Sequence, residues 1–454
     1  MSRSKRELSA AATSASIYAA DQSHLRPALL LRPPSLQRRF ELRLFVTYCC
    51  LFYFVPYVLF QLFGNPLEYV FRPRPEYTWG ILYVFLSGLI FWIAQLAPRA
   101  KLRLVPVGVT GLLFAPRPTL ILAMSFLAIS AWSSLTLGSG FRQTGDALSE
   151  VGILGYLLVL GKTVMGTSII VHYRMIKEGF EVKFRAFVLL IIALAFGVNV
   201  QSSFDIIIAL CAYVGATYSF RRSMKFTGSL SGKLSLIAAP LLVALIFFVG
   251  KSNKIGVEET LQIMSDGDAF FQAFLQRYSF HMYSLSTHVS ENFFNFGLAG
   301  EAIREVTSVM WFRIGSLFGL SVERPEMGSI ARMNFFVLAD FYKDRVGASP
   351  SMLGSLFFFP GAGLAIFYYV FILRFIISLF WKIMGVTMEN WLFIGLSVIL
   401  LSTSVDALLD AVNPLSNGFT RLLSLYLGAS YVISMLRRRQ SVPERSVRPR
   451  PVAI

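Results

Sequence analysis

Arg277, His281, Ser284 and His288 follow one another at i, i+4, i+7 and i+11. On a helix that spacing puts a cation, two imidazoles and a hydroxyl on one face, opposite an apolar one. Such a face can bind an anion and move a proton. A guanidinium fork stays charged and matches phosphate oxygens, and an imidazole can act as a general base. The competing reading is a solvated face on a helix lying at a membrane surface. Zinc is not expected, because the two histidines stand seven apart, without HExxH spacing and without a nearby cysteine. Glu291 and Asp340 are further base candidates, and Arg313, Arg324, Arg332, Lys343 and Arg345 supply further cations in the same stretch.

A second anion seat is expected where that stretch ends. Lys343 and Arg345 precede Ser349 and Pro350, which suit an N-cap and a first helical position, and the apolar run Met352 to Phe359 comes next. Pro360 to Gly363 then break the run. A helix this short cannot cross a bilayer, so it should dip in or lie at the interface. Its unpaired N–H groups and positive dipole end, beside two cations, would suit a phosphate. An ordinary capped helix start is the alternative.

The elements that must position these groups are helices. Phe271, Phe274, Leu275, Tyr278, Met282, Leu285 and Val289 recur at three- and four-residue steps, which predicts a helix over Asp268 to Val289. A further helix is expected over Glu301 to Phe318, carrying Arg304 and Arg313, with a loop at Arg324 and Pro325 after it.

Around this polar stretch, Lys251 to Pro350, the chain is membrane-like. Its 454 residues are 55% hydrophobic and 15% charged, with mean hydropathy +0.61, too apolar for a soluble protein of this size. Ten apolar spans are expected, at about Leu44–Phe63, Trp79–Ala97, Leu120–Leu137, Val151–Val171, Phe187–Val200, Phe204–Phe220, Leu234–Val249, Gly361–Phe380, Trp391–Leu408 and Leu422–Leu436. The fold class is therefore all-α, a polytopic helical membrane protein with one large outer loop. Arg99, Lys101 and Arg103 follow the second span, Arg174, Lys177, Lys183 and Arg185 the fourth, Arg221 and Arg222 the sixth, and Arg437 to Arg439 the last. This distribution places both termini in the cytoplasm and residues 251–350 outside, with Arg72, Arg74 and Arg142 as exceptions. Residues 1–42 read as a disordered cytoplasmic tail, 43–250 as spans one to seven, 351–436 as the interfacial helix with spans eight to ten, and 437–454 as a basic tail. The net charge of +17 sits mostly in tails and short loops, so nucleic-acid binding is not expected. Cys49, Cys50 and Cys211 lie in apolar segments and support neither a disulfide framework nor a metal site. Lys162 falls mid-span and needs a partner, and Arg421 is expected either to pair with Asp406 or Asp410 or to meet an anionic ligand.

Taken together, the many spans, the dominant outer loop late in the chain, the arginines at Arg277, Arg313, Arg324 and Arg332, and the segment GASPSMLGSLFFFPGAG at Gly347–Gly363 resemble the Wzy-type polysaccharide repeat-unit polymerases. The resemblance runs from about Lys162 to Arg421. One departure is the short turn Asn199 to Ser203, which holds no arginine where related chains often place one. The resemblance implies an enzyme of the bacterial inner membrane, without cofactor or metal. It would move a growing glycan from undecaprenyl pyrophosphate onto another lipid-linked repeat unit, alongside flippase and chain-length regulator proteins. Arg277, Arg313, Arg324, Arg332, Lys343, Arg345 and Arg421 would then bind phosphate or sugar, and His281, His288, Asp340 or Glu291 would be the base. The rival classes are an O-antigen ligase, another lipid-linked-sugar glycosyltransferase, and a transporter or flippase, although no internal repeat is evident.

Overall fold

A computed structural model describes residues 42–43, 45–71, 73–96, 115–137, 158, 161, 164–166, 168–169, 171–173, 175–176, 179–198, 241, 244–252, 255–317, 320–323, 325–341 and 347–372. The chain divides into two compact units, Met1–Thr47 and Tyr48–Ile454. Of the first, the few described residues are helical; the second holds the rest.

Every regular element among the described residues is a helix. Three are long and apolar enough to cross a membrane, Phe45–Phe63, Tyr77–Ala94 and Pro116–Thr136, and they fall on the first three expected spans. A fourth candidate is the pair Ser351–Phe358 and Ala362–Ile372, bent by 118°, the geometry of a broken span or a re-entrant loop. Val182–Val198 matches the fifth expected span but is only 17 residues long. The expected spans at 204–220, 391–408 and 422–436 lie outside the described residues, as do most of 151–171 and 234–249, the tails, Lys162, Asp406 and Asp410.

A π turn, Cys50–Phe54, leads into α1 (Val55–Phe63), and Pro56 sets its consequences. The Val55 N–H bonds to the Cys50 carbonyl, five residues back. Pro56 has no N–H to give. The Leu51 carbonyl therefore loses both helical donors, and the Tyr278 hydroxyl donates to it instead. The wider turn also brings Tyr48 and Tyr53, five residues apart, to one side, with their hydroxyls 3.3 Å from each other.

α2 (Tyr77–Ala94) packs along the long helix α6 (Gly267–Glu291), with α3 (Pro116–Leu137), α4 (Val182–Val198) and α5 (Val257–Ser265) between them in the chain. The crossing is close at Gly80, where a Cβ would stand 2.3 Å from Ser286 Oγ, so the contact needs glycine. α3 and α4 form a separate apolar cluster through Ala123, Phe126, Val188, Ile192 and Phe196. α6 starts one residue before its expected start and ends two residues later; Asp266 caps it, accepting from the N–H groups of Asp268 and Ala269.

α7 (Gly297–Leu317) begins four residues before its expected start. α8 (Ile330–Ala339), unforeseen from the sequence, is capped by Ser329 and ends at Asp340 in the left-handed conformation. α9 (Ser351–Gly354) runs into a tighter turn, Ser355–Phe358, so the apolar helix expected over Met352 to Phe359 is one α turn followed by one 3₁₀ turn. Ala302 of α7, Ile330 and Met333 of α8 and Phe358 pack together beneath this bend.

Candidate functional site

The chemistry-bearing side chains converge where α6, α8 and the bend meet. His288 is completely buried, and its Nε2 lies 2.7 Å from Asn334 Oδ1 on α8. The amide orientation is fixed by its other contacts. Asn334 Nδ2 donates to the Ala348 carbonyl (2.7 Å), and Ser284 Oγ donates to Oδ1 (2.9 Å). Because Oδ1 only accepts, His288 must carry its proton on Nε2 and present a lone pair at Nδ1. That nitrogen is buried and has no hydrogen-bond partner among the described residues. The ring stacks on Phe357 (centroids 5.3 Å, 18°) and meets Phe358 edge-on at 5.2 Å. Burial pushes the imidazole down to about 4, against the opposing pull of the Asn334 hydrogen bond, so it is neutral near pH 7.

This arrangement corrects the reading of a solvated polar face. Ser284 and His288 stand on the face that the periodicity marked, but the bend and α8 cover it, and amide and imidazole satisfy each other there. Arg277 lies on the same helix but is exposed, roughly 16 Å away along the axis. His281 is half-buried and edge-on to Phe52 at 5.5 Å. The helix thus separates the cation from the buried imidazole.

The start of α9 is also not a vacant anion seat. The Met352 N–H donates to the Tyr48 hydroxyl (3.2 Å) and the Leu353 N–H to the Tyr53 hydroxyl (3.1 Å). Ser349 Oγ accepts from the Ser351 N–H, and Ser351 Oγ lies 2.5 Å from the Tyr53 hydroxyl. Neutral hydroxyls and a serine occupy the donors that were expected to be free. Two strained residues bracket the bend, Ser351 (φ 68°) and Ala362 (φ 46°), each costing about 1–2 kcal/mol that the surrounding contacts must offset. Beyond it, the Tyr83 hydroxyl donates to the Gly363 carbonyl (2.8 Å), and the Gly363 N–H donates to the Phe293 carbonyl (3.0 Å).

The remaining expected site residues are scattered. Glu291, the last residue of α6, is exposed on its surface, and partial burial raises its carboxyl. Asp340 is an exposed helix end, and Arg332 donates through Nη1 to the Glu326 carbonyl (3.4 Å). Arg313 lies on α7, its side chain outside the described residues, as are Arg324, Lys343, Arg345 and Arg421 altogether. Among the described residues, no three or more His, Cys, Asp or Glu gather to hold a metal ion.

Sequence reasoning missed Asn334, Tyr48 and Tyr53. The one signal for Asn334 is an uncharged amide in the apolar run IARMNFFVLA. Arg185, expected as a loop charge, has a buried side chain. Its Nη1 donates to His172 Nδ1 (2.9 Å), and its Nη2 pairs with Glu181 (3.3 Å). No protein-family profile, curated protein or solved structure matches the chain.

Proposed function

We propose that this is a multi-pass protein of the bacterial inner membrane that polymerises undecaprenyl-pyrophosphate-linked oligosaccharide repeat units. In this reading about ten helices span the bilayer, residues 251–350 lie outside, and both termini are cytoplasmic. The observation that carries it is the bend at Ser351–Ala362. Non-helical backbone at membrane depth persists only where protein buries it or where it lines a wet cavity. Chemistry on a sugar whose carrier stays in the bilayer needs such polar structure at that depth, next to cations for the leaving diphosphate. The exposed Arg277 and the half-buried Arg332 suit that task, and Arg313, Arg324, Lys343, Arg345 and Arg421 are further candidates.

Among the proposed bases, Glu291 is the best placed. It meets water at the end of α6, and its raised carboxyl moves toward the range in which a general base is effective. His281 and Asp340 stay secondary candidates. His288 serves instead to hold the bend, because its ring stacks on Phe357 and meets Phe358 edge-on, and its Nε2 is committed to Asn334.

The same bend favours a second reading, a transporter, since broken helices also build mid-membrane binding sites. Purified protein in liposomes given lipid-linked repeat units separates the classes. Chain lengthening supports the polymerase. Transfer to lipid A core would identify a ligase, translocation alone a transporter, and no turnover would overturn all three.

A further inference from the structure

α7 has three kinds of surface. One side, through Leu298, Ala302 and Val306, packs on α8 and on Phe358 of the bend. The exposed remainder divides along its length. One flank is charged, with the exposed Glu301 and Arg304 and the half-buried Glu305. The other flank, Gly300, Ile303, Thr307 and Trp311 at three- and four-residue steps, carries no charge, and Ile303 and Trp311 are 45% and 65% exposed.

The turn leading into α7 exposes Phe294 (68%) and Phe296 (55%). Its neighbour Phe293 is pinned to the bend, because its carbonyl accepts the Gly363 N–H and its ring lies 2.6 Å from where a Cβ at Gly363 would sit. The limb that continues from Gly363 exposes Leu364 and Phe367. Exposed apolar residues therefore stand on a limb of membrane-like composition, on the turn that the Phe293–Gly363 hydrogen bond joins to it, and on α7.

We infer that this uncharged flank of α7 rests in the headgroup–acyl boundary of the bilayer that holds the spans. A bare strip of this kind is costly in water. A stripe of single residues along one helix flank is narrow for a stable protein interface, but it suits a lipid surface. Tryptophan prefers that boundary, and Arg304, adjoining the stripe, can reach the lipid phosphates while Glu301 faces water and Glu305 accepts from the Gly328 N–H. The helix is then a float that fixes the height of α8 and the bend against the membrane. The inference depends only on the membrane setting, not on the reaction proposed above.

The test uses the full chain in nanodiscs and takes Trp311 as the probe, read as the difference in fluorescence between the parent and Trp311→Phe. Lipids brominated near the glycerol should remove about half of that component, and aqueous iodide should quench it several-fold less than an exposed tryptophan. Strong iodide quenching with no effect of brominated lipid would place Trp311 in water and overturn the inference. Resistance to both quenchers would mean that protein covers the flank, a second copy or another partner, and would overturn it equally. Phenylalanine keeps the apolar bulk, and an unchanged thermal unfolding midpoint confirms that the comparison is between two folded proteins.

Discussion

Two regions of this protein bury an imidazole completely, and they do so in opposite ways. His172 accepts a hydrogen bond at Nδ1 from the buried Arg185 in the first turn of α4, which leaves its Nε2 proton without a partner among the described residues. At the bend, His288 donates from Nε2 to an amide oxygen, which leaves a lone pair. Both rings are neutral with the proton on Nε2, yet their idle nitrogens differ in kind. A proton arriving at His172 would sit against a guanidinium; one arriving at His288 would be stranded between phenylalanines. The lesson is that a buried histidine is defined by the atom it faces. A cation makes it an acceptor, and an amide oxygen makes it a donor.

The sharpest way to break this comparison is to remove the amide. Asn334→Ala would strand the His288 Nε2–H, the Ser284 hydroxyl and the Ala348 carbonyl at once, all in a buried setting. Each orphaned group costs about 1–3 kcal/mol, so the expected loss is about 3–5 kcal/mol, read as a large fall in the thermal unfolding midpoint. A fall no larger than that of an exposed substitution such as Gln272→Ala would show that the three contacts do not act together.

Acid tests the His288 side of the comparison next. The folded-state value of His288 is about 4, below the ordinary 6.5, so the neutral ring favours the fold. Its contribution is fully present above pH 6.5, falls as the unfolded chain takes up the proton, and is exhausted once pH passes below 4. The span corresponds to about 3 kcal/mol. His288→Gln can still donate to Asn334 but does not titrate. It should therefore lose less stability than the parent between pH 6.5 and 4, as measured by chemical unfolding at each pH. Parallel curves would rule out His288 as the acid-sensitive group.

A smaller effect is expected on the other side of the comparison. Arg185→Met leaves behind a neutral imidazole and a half-exposed Glu181, not a buried unpaired charge. The cost should therefore be about 1–2 kcal/mol, less than for Asn334→Ala, with the same thermal measurement. A larger cost would mean that Arg185 anchors α4 more firmly than its contacts with His172 and Glu181 require.

How much of this was legible depends on the range of each interaction. α6 could be read because Phe271, Phe274, Leu275, Tyr278 and Met282 repeat locally, and the Asp266 cap lies just ahead of them. The polar face was found but misassigned, since periodicity says which residues share a side and not what packs against it. Ser284 and His288 depend on Asn334, 46 or more residues further along the chain, and the α9 start depends on tyrosines about 300 residues away. The helix start falls one residue later than Ser349 and Pro350 suggest, with Pro350 at the N-cap position, no side-chain cap and Ser351 as the first helical residue; the distant hydroxyls that fill its donors left no local trace. α8 was overlooked because Arg332 reads first as a cation, while Ser329, its actual cap, is one small residue in a stretch of turns.

The smallest effect tests whether the tyrosines or the histidine hold the bend. Tyr48→Phe removes only a hydroxyl, the acceptor of the Met352 N–H at 3.2 Å, whose other contact, to Tyr53, is long at 3.3 Å. Both are weak by geometry, so the loss should be about 1 kcal/mol, the cost of one buried amide left without a partner. Tyr53→Phe should cost more, because its hydroxyl both accepts from Leu353 and pairs with Ser351 Oγ at the strained residue that opens the bend. The ordering Asn334→Ala, then Tyr53→Phe, then Tyr48→Phe in unfolding midpoint is expected if the amide and imidazole are the principal clasp and the tyrosines a secondary one. If Tyr48→Phe alone destabilised the protein as much as Asn334→Ala, the π turn and its hydroxyl pair would be the clasp, and His288 would only fill space behind it.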